Sequence, residues 1–146
     1  MPKYRVAPPL SVAQIEAIAA NVRRSLGIGK SIKAPMAAIL EHVLPDLIEG
    51  YEFRVDDARA LGKAEAITDG FRPVITFGAS AYSELARDAP RARMTAAHEL
   101  GHLLLHTGRT GFAMLHKWDV RLDPEKQADI FAAAFLMPVG EFRKVR

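Results

Sequence analysis

Residues 95–106 read TAAHELGHLLLH, a stretch that places three histidines and one glutamate within twelve positions. His98, Glu99 and His102 form an HExxH motif, in which the two histidines lie four residues apart and therefore on one face of a helix. Two such imidazoles can share a zinc ion, which accepts a carboxylate as third ligand and leaves its fourth position to water. Glu99, about 100° around the helix from His98, can reach that water without being a ligand.

The same helix also admits a purely structural interpretation, in which its histidines are hydrogen-bonded inside an apolar core. His106 lies two turns from His98, too far to join the same ion, so we expect a core or helix-terminal histidine there. Gly101 costs a helix about 1 kcal/mol relative to alanine. A glycine at this position therefore indicates one of two things. Either a neighbouring element or the substrate approaches the helix closely there, or the helix packs tightly against the sheet.

A third ligand must come from another segment of the chain. Leu105 and Gly108 stand where the metzincin pattern HExxHxxGxxH has glycine and histidine, which excludes that class. The later stretch EKQADIFAAAF carries Glu125 and Asp129 on one helical face. We predict a gluzincin-type zinc site in which Glu125 coordinates the ion and Asp129 accepts the free N–H of a ligating histidine. In the alternative, Glu125 only interacts with the helix dipole and Asp129 is exposed.

The composition is that of a globular domain with no preference for a charged partner. The 146 residues are 49% hydrophobic and 25% charged, and 20 Lys and Arg against 17 Asp and Glu give a net charge of +3. Because the cations are scattered, we expect no direct binding to nucleic acid. The absence of cysteine excludes disulfides, thiolate catalysis and cysteine-ligated zinc. We expect a cytoplasmic protein without a membrane segment, because no signal peptide or long apolar run is present.

Hydrophobic periodicity predicts helices at both ends of the chain. The first begins at Ser11 and ends at Gly27 or Gly29, and a second begins near Pro35 and is interrupted near Pro45. The HExxH helix begins at Pro90 and runs to about residue 106. A last helix begins at Asp123-Pro124 and stops at Met137, before Pro138.

Three short strands are predicted between these helices, in the stretches YEFRVDD, AEAIT and PVITF. Asp69-Gly70 marks a turn, and residues 78–89 are expected to form a loop. The order of two helices, a small twisted sheet and two further helices predicts an α+β domain.

The segments RMTAAHELGHLLLH and EKQADIFAAAFLMP together resemble the ImmA/IrrE family of bacterial and phage-element metallopeptidases. The resemblance is dense over residues 94–138. It implies one zincin-like domain over residues 1–146, with zinc on His98, His102 and Glu125 and with Glu99 as the catalytic base. It also implies a protein substrate, typically a helix-turn-helix transcriptional repressor in stress response or mobile-element regulation.

Two further expectations concern the substrate. Peptides usually lie extended along a sheet edge in metallopeptidases, so we expect PVITF or its neighbouring strand to offer that edge. Tyr82 and His116 are candidates for stabilising the oxyanion.

The alternative function is a non-proteolytic, zinc-containing antirepressor or sensor that binds a partner protein. HExxH argues against it, because a structural metal needs no general base.

Overall fold

The computed structural model describes residues 10–30, 32–108 and 123–137, which form an α+β fold of helices around a three-stranded sheet. No helix within these ranges is sufficiently long and apolar to cross a membrane. The helical elements in chain order are α1 (Val12–Ser25), α2 (Met36–Ala38), a π-helical turn (Ile39–Val43), α3 (Leu44–Leu47), a 3₁₀ turn (Ala58–Leu61), α4 (Ala79–Ala86), α5 (Pro90–Leu105) and α6 (Pro124–Leu136).

Helix α1 begins and ends where the sequence predicts. Ser11 and Gln14 form a reciprocal capping box, in which each side chain accepts a hydrogen bond from the other residue's backbone N–H, at 3.2 and 2.8 Å. Gly27, with φ of 72°, follows the helix in the left-handed conformation that glycine adopts most easily. The buried face of α1 carries Ile15 and Ala19, and α1 packs against α6.

The interruption predicted near Pro45 is confirmed as a π-helical turn between α2 and α3. Pro45 has no backbone N–H, and the turn before it shifts the register so that the Leu44 N–H donates to the Ile39 carbonyl. In that register the next donor would be Pro45 and its acceptor the Leu40 carbonyl. The buried Tyr51 hydroxyl donates to this carbonyl at 2.7 Å and so replaces the missing donor.

The three predicted strands are confirmed as β1 (Glu52–Asp56), β2 (Ala66–Thr68) and β3 (Val74–Gly78). Their order is β1-β3-β2, with β1 parallel and β2 antiparallel to β3. Of the two alternatives predicted for the sheet edge, PVITF is excluded because β3 is the central strand, and its neighbour β2 is at an edge. Val74, Ile75 and Phe77 are all buried, because a central strand covered on both faces carries apolar residues in succession rather than alternately.

The turn predicted at Asp69 is confirmed, since Asp69 Oδ1 accepts hydrogen bonds from the N–H groups of Phe71 and Arg72 at 2.7 and 2.9 Å.

The prediction of a loop over residues 78–89 is wrong, because this segment contains α4. Its length of only eight residues leaves little room for helical periodicity. Leu85 anchors the helix in the core.

Helices α5 and α6 confirm the predicted boundaries. Pro90 and Pro124 occupy the first turn of each helix, and the Asp123 side chain caps α6 by accepting the Lys126 N–H at 2.9 Å. Helix α6 ends at Leu136, with Met137 as its C-cap.

Helices α5 and α6 approach each other closely at Gly101. A Cβ atom placed on Gly101 would lie 3.1 Å from Phe131 Cδ1 and 3.3 Å from both Cα and O of Ala128. Of the explanations that the sequence allowed, the structure shows a close neighbour, and that neighbour is α6 rather than the sheet. Ala97, one turn before Gly101, and Ala132, one turn after Ala128, are also fully buried.

Gly101→Ala is expected to destabilise the protein by about 1–3 kcal/mol, because the added methyl group meets the backbone of α6 and overpacks the core. Helix propensity alone predicts that the free energy of unfolding rises by about 1 kcal/mol. The sign of the change in this free energy therefore separates overpacking from helix propensity. Chemical denaturation measures it. Ala17→Gly on the exposed face of α1 is the control, expected to cost about 1 kcal/mol. A Gly101→Ala protein as stable as wild type would contradict this account of the contact.

Candidate metal centre

Three side chains from α5 and α6 converge on one point. The potential ligand atoms of His98, His102 and Glu125 all lie within 4.8 Å of one another. Glu125 Oε2 is 2.6 Å from His102 Nε2 and 3.4 Å from His98 Nε2. The structure therefore brings together the three residues that the sequence analysis selected as metal ligands.

The two histidines share one face of α5, with ring centroids 4.7 Å apart and the ring planes at 84°. Glu125 lies in the first turn of α6, next to the point where Gly101 allows the two helices to approach. The His102 side chain is only 2% exposed, whereas that of Glu125 is 69% exposed. The cluster thus has a buried side at His102 and a side open to solvent at Glu125.

The remaining ring nitrogens also have partners. His98 Nδ1 lies 2.7 Å from Asp129 Oδ1, the contact that we predicted for this carboxylate. His102 Nδ1 lies 2.9 Å from His106 Nδ1, and His106 Nε2 lies 2.9 Å from Gln127 Oε1. His106 is the buried C-cap of α5 and is not part of the donor cluster, as predicted, but its contact with His102 makes it a neighbour of the cluster.

The electrostatics of the cluster couple the imidazoles to the carboxylates. Hydrogen bonds with His102 and then His98 hold the pKa of Glu125 far below its ordinary value, against the opposing effect of partial burial. Burial pulls the pKa of His98 down, but hydrogen bonds to Glu125 and Asp129 and the charge of Glu99 outweigh it, and the pKa is raised. Positive charge between these groups is therefore favourable.

The donor set fits a divalent metal of the zinc type. Two imidazole nitrogens and one carboxylate oxygen are ligands that zinc accepts at catalytic sites. Because Asp129 and His106 engage the Nδ1 atoms of His98 and His102, the Nε2 atoms remain directed at the common point beside Glu125.

Glu99 lies beside this cluster but is not one of its donors. Its side chain is largely buried, and Oε1 accepts a hydrogen bond of 2.6 Å from the Thr68 hydroxyl on β2. Glu99 also faces a cavity of about 300 Å³. The residues that line this cavity are Glu65, Ala66, Arg91, Met94, Thr95, His98, Glu99 and Asp129.

Strand β2 is held along α5 by side-chain contacts at both of its ends. Glu65, just before the strand, accepts a hydrogen bond from the Thr95 hydroxyl at 2.9 Å and pairs with Arg91 at 2.7 Å. The register with β3 makes Ala66 and Phe77 a non-hydrogen-bonded pair, so the Ala66 backbone N–H and C=O point away from β3. Ala66 also lines the cavity. An edge of the sheet thus lies beside Glu99.

The structure does not bring Tyr82 to this cavity. Its hydroxyl donates to Glu41 Oε1 at 2.5 Å, and its ring packs against Phe53 on β1. The other oxyanion candidate, His116, lies outside the described residues.

Sequence reasoning missed the contacts of Thr68 and Gln127. The motif's spacing points to neither residue, since Thr68 is on a separate strand and Gln127 is two positions from Glu125, hence on another face of α6.

A family comparison supports the interpretation of this cluster. Residues 82–146 match the model of the Peptidase M78 family, described as the IrrE N-terminal-like domain. This segment, 65 of the 146 residues, is similar to the ImmA/IrrE family. The match contains all of α5 and α6, and therefore Glu99 and every residue of the donor cluster. The similarity to this peptidase family indicates a metallopeptidase, whose substrate is a protein. No curated protein matches the chain.

Glu125→Gln is expected to weaken zinc binding by more than about 100-fold, because an amide replaces the anionic ligand. Asp129→Asn keeps all three ligands and should lower the zinc affinity about 10–100-fold, the range typical for loss of a ligand's hydrogen-bond partner. Competition with a chromogenic chelator measures both affinities. Glu84→Gln on α4 is the matched control and should bind zinc like wild type. Equal affinities for Glu125→Gln and wild type would contradict the assigned donor set.

Zinc affinity is also expected to fall steeply as the pH is lowered. A ligating His98 must be neutral, and its raised pKa means that protons compete above the ordinary value of 6.5. Below that pKa the apparent affinity should drop about tenfold per pH unit for each proton displaced. Chelator competition between about pH 8 and pH 5.5 tests this. In Asp129→Asn the fall should begin at lower pH, because one partner that raises the pKa is weakened. A zinc affinity that does not change between these pH values would contradict the expectation.

Proposed function

We propose that this protein is a zinc-dependent endopeptidase that cleaves a protein partner at a specific site, and that this partner is a helix-turn-helix transcriptional repressor. One observation supports the peptidase activity: Glu99 and the proposed metal ligand His98 face the same cavity. This cavity lies beside the edge strand β2. The repressor as substrate is supported by the resemblance to the ImmA/IrrE family. A role in stress response or mobile-element regulation has the same support.

Strand β2 is the proposed binding surface for the substrate backbone. An extended peptide can add to a sheet edge through main-chain hydrogen bonds, and the Ala66 backbone groups point away from β3 for this purpose. A peptide along this edge lies against α5, where Thr95 and Glu99 face the same cavity. The scissile bond would thereby be held close to Glu99 and His98.

Glu99 is the proposed general base. A bound zinc ion supplies Lewis acidity, which polarises the scissile carbonyl and acidifies water. The Glu99 carboxylate accepts a proton from the attacking water and delivers it to the leaving amine as the C–N bond breaks. The Thr68 hydroxyl donates to Oε1 and so fixes the orientation of this carboxylate.

The position of Glu99 favours catalysis over the alternative of a non-proteolytic sensor or antirepressor. A structural zinc site is closed by four protein ligands, whereas catalytic sites keep one position open. Among the residues that the structure describes, three donors form the cluster. The Glu125 side is exposed, and an unligated carboxylate faces the adjoining cavity.

Glu99→Gln is expected to lower the rate of substrate cleavage by about 10²–10⁴-fold, because an amide cannot accept the proton. Zinc affinity should change little, since Glu99 is not a ligand. Intact-mass analysis of the candidate repressor after incubation measures cleavage, and a chelator-treated sample gives the metal-free baseline.

Glu84→Gln serves as the matched control for cleavage, because this exposed glutamate lies on α4 and outside the cavity. Full activity of Glu99→Gln would contradict the proposed base. A stable complex with the repressor, without cleavage by the zinc-loaded wild type, would favour the sensor instead.

A further inference from the structure

The two histidines of the metal cluster have unlike partners behind them. His98 Nδ1 contacts Asp129, a carboxylate whose side chain is 65% exposed. His102 Nδ1 contacts His106 Nδ1 at 2.9 Å, and His106 Nε2 contacts Gln127 Oε1 at 2.9 Å. His102, His106 and Gln127 are all buried, with relative exposures of 2%, 1% and 0%. One ligand is thus supported by an exposed carboxylate and the other by a buried imidazole and a buried amide.

The contact between two Nδ1 atoms restricts the positions of the protons. At 2.9 Å one of these nitrogens must donate and the other accept, because two lone pairs would repel each other and two N–H groups would clash. If His102 binds zinc through Nε2, the atom beside Glu125, its Nδ1 carries the proton and donates. His106 Nδ1 is then the acceptor, so His106 carries its proton on Nε2 and donates it to Gln127 Oε1.

We infer that His106 and Gln127 are positioning residues for zinc, which fix the tautomer and the ring orientation of His102. This inference rests on the proposed role of His102 as a metal ligand. Gln127 Oε1 accepts from His106 Nε2, His106 Nδ1 accepts from His102 Nδ1, and His102 presents its bare Nε2 to the metal. Gln127 thus acts on the orientation of His102 through the ring of His106.

Burial favours an imidazole and an amide over a lone carboxylate behind His102. An ionised carboxylate without a compensating partner is costly in the interior, whereas an amide and an imidazole can satisfy each other by hydrogen bonds. Asp129, at the solvent side, has no such penalty. The different partners therefore follow from the different depths of the two histidines between α5 and α6.

Histidine nitrogen NMR of the zinc-loaded protein tests the proton positions directly. We expect His102 to carry hydrogen on Nδ1 and His106 to carry hydrogen on Nε2 only. A proton on His106 Nδ1 would overturn the inference. A wild-type chain that takes up no zinc would contradict the proposed function as well, so the two failures are distinguishable.

Two variants of Gln127 separate positioning from packing. Gln127→Leu keeps the bulk but removes the acceptor, and should weaken zinc binding about 10–100-fold. Gln127→Glu retains an oxygen acceptor for His106 and should bind zinc at least tenfold more tightly than Gln127→Leu. Phe135→Leu, a buried change two turns further along α6, is the control for stability. It should lower the melting temperature without weakening zinc binding. Equal losses in both Gln127 variants, or no loss in either, would overturn the inference.

Discussion

The close approach of α5 and α6 at Gly101 is the constraint on which the rest of the site depends. With only 3.3 Å between the position of a Gly101 Cβ and the Ala128 backbone, no larger side chain fits without moving α6. Glu125 lies on that helix, and its Oε2 is 2.6 Å from His102 Nε2. A small shift of α6 would therefore remove the carboxylate from the two imidazoles on α5. The residue with the poorest helix propensity after proline stands in the helix that carries both histidines for this packing reason.

The two helices also create a difference between the inner and outer sides of the cluster. On the inner side, His102 is buried and supported by His106 and Gln127. On the outer side, His98 faces a cavity that Glu99 and the edge strand β2 also line. In the proposed peptidase, the inner side fixes the metal and the outer side receives the substrate. Rigid support and open access are thus provided by opposite sides of one pair of helices.

The sequence predicted the donor cluster better than its surroundings. Helical periodicity fixes which residues share a face, so the spacing alone pairs His98 with His102 and Glu125 with Asp129. The strand order does not follow from spacing, because a short apolar run such as PVITF suits a central strand as well as an edge. The loop predicted ahead of α5 was wrong because α4 is too short to show a clear period. The contact of Gln127 with the cluster passes through His106, and no spacing rule predicts such a connection.

In the proposed zinc site, α5 supplies two imidazoles and α6 supplies one carboxylate. X-ray absorption spectroscopy of the zinc-loaded protein tests this ligand set most directly. We expect two imidazole nitrogens at about 2.0–2.1 Å, with the remaining ligands being oxygen at about 2.0–2.2 Å. Glu125→Gln should alter the oxygen shell and leave both imidazoles in place. A spectrum with fewer than two imidazoles, or one unchanged by Glu125→Gln, would contradict this ligand set.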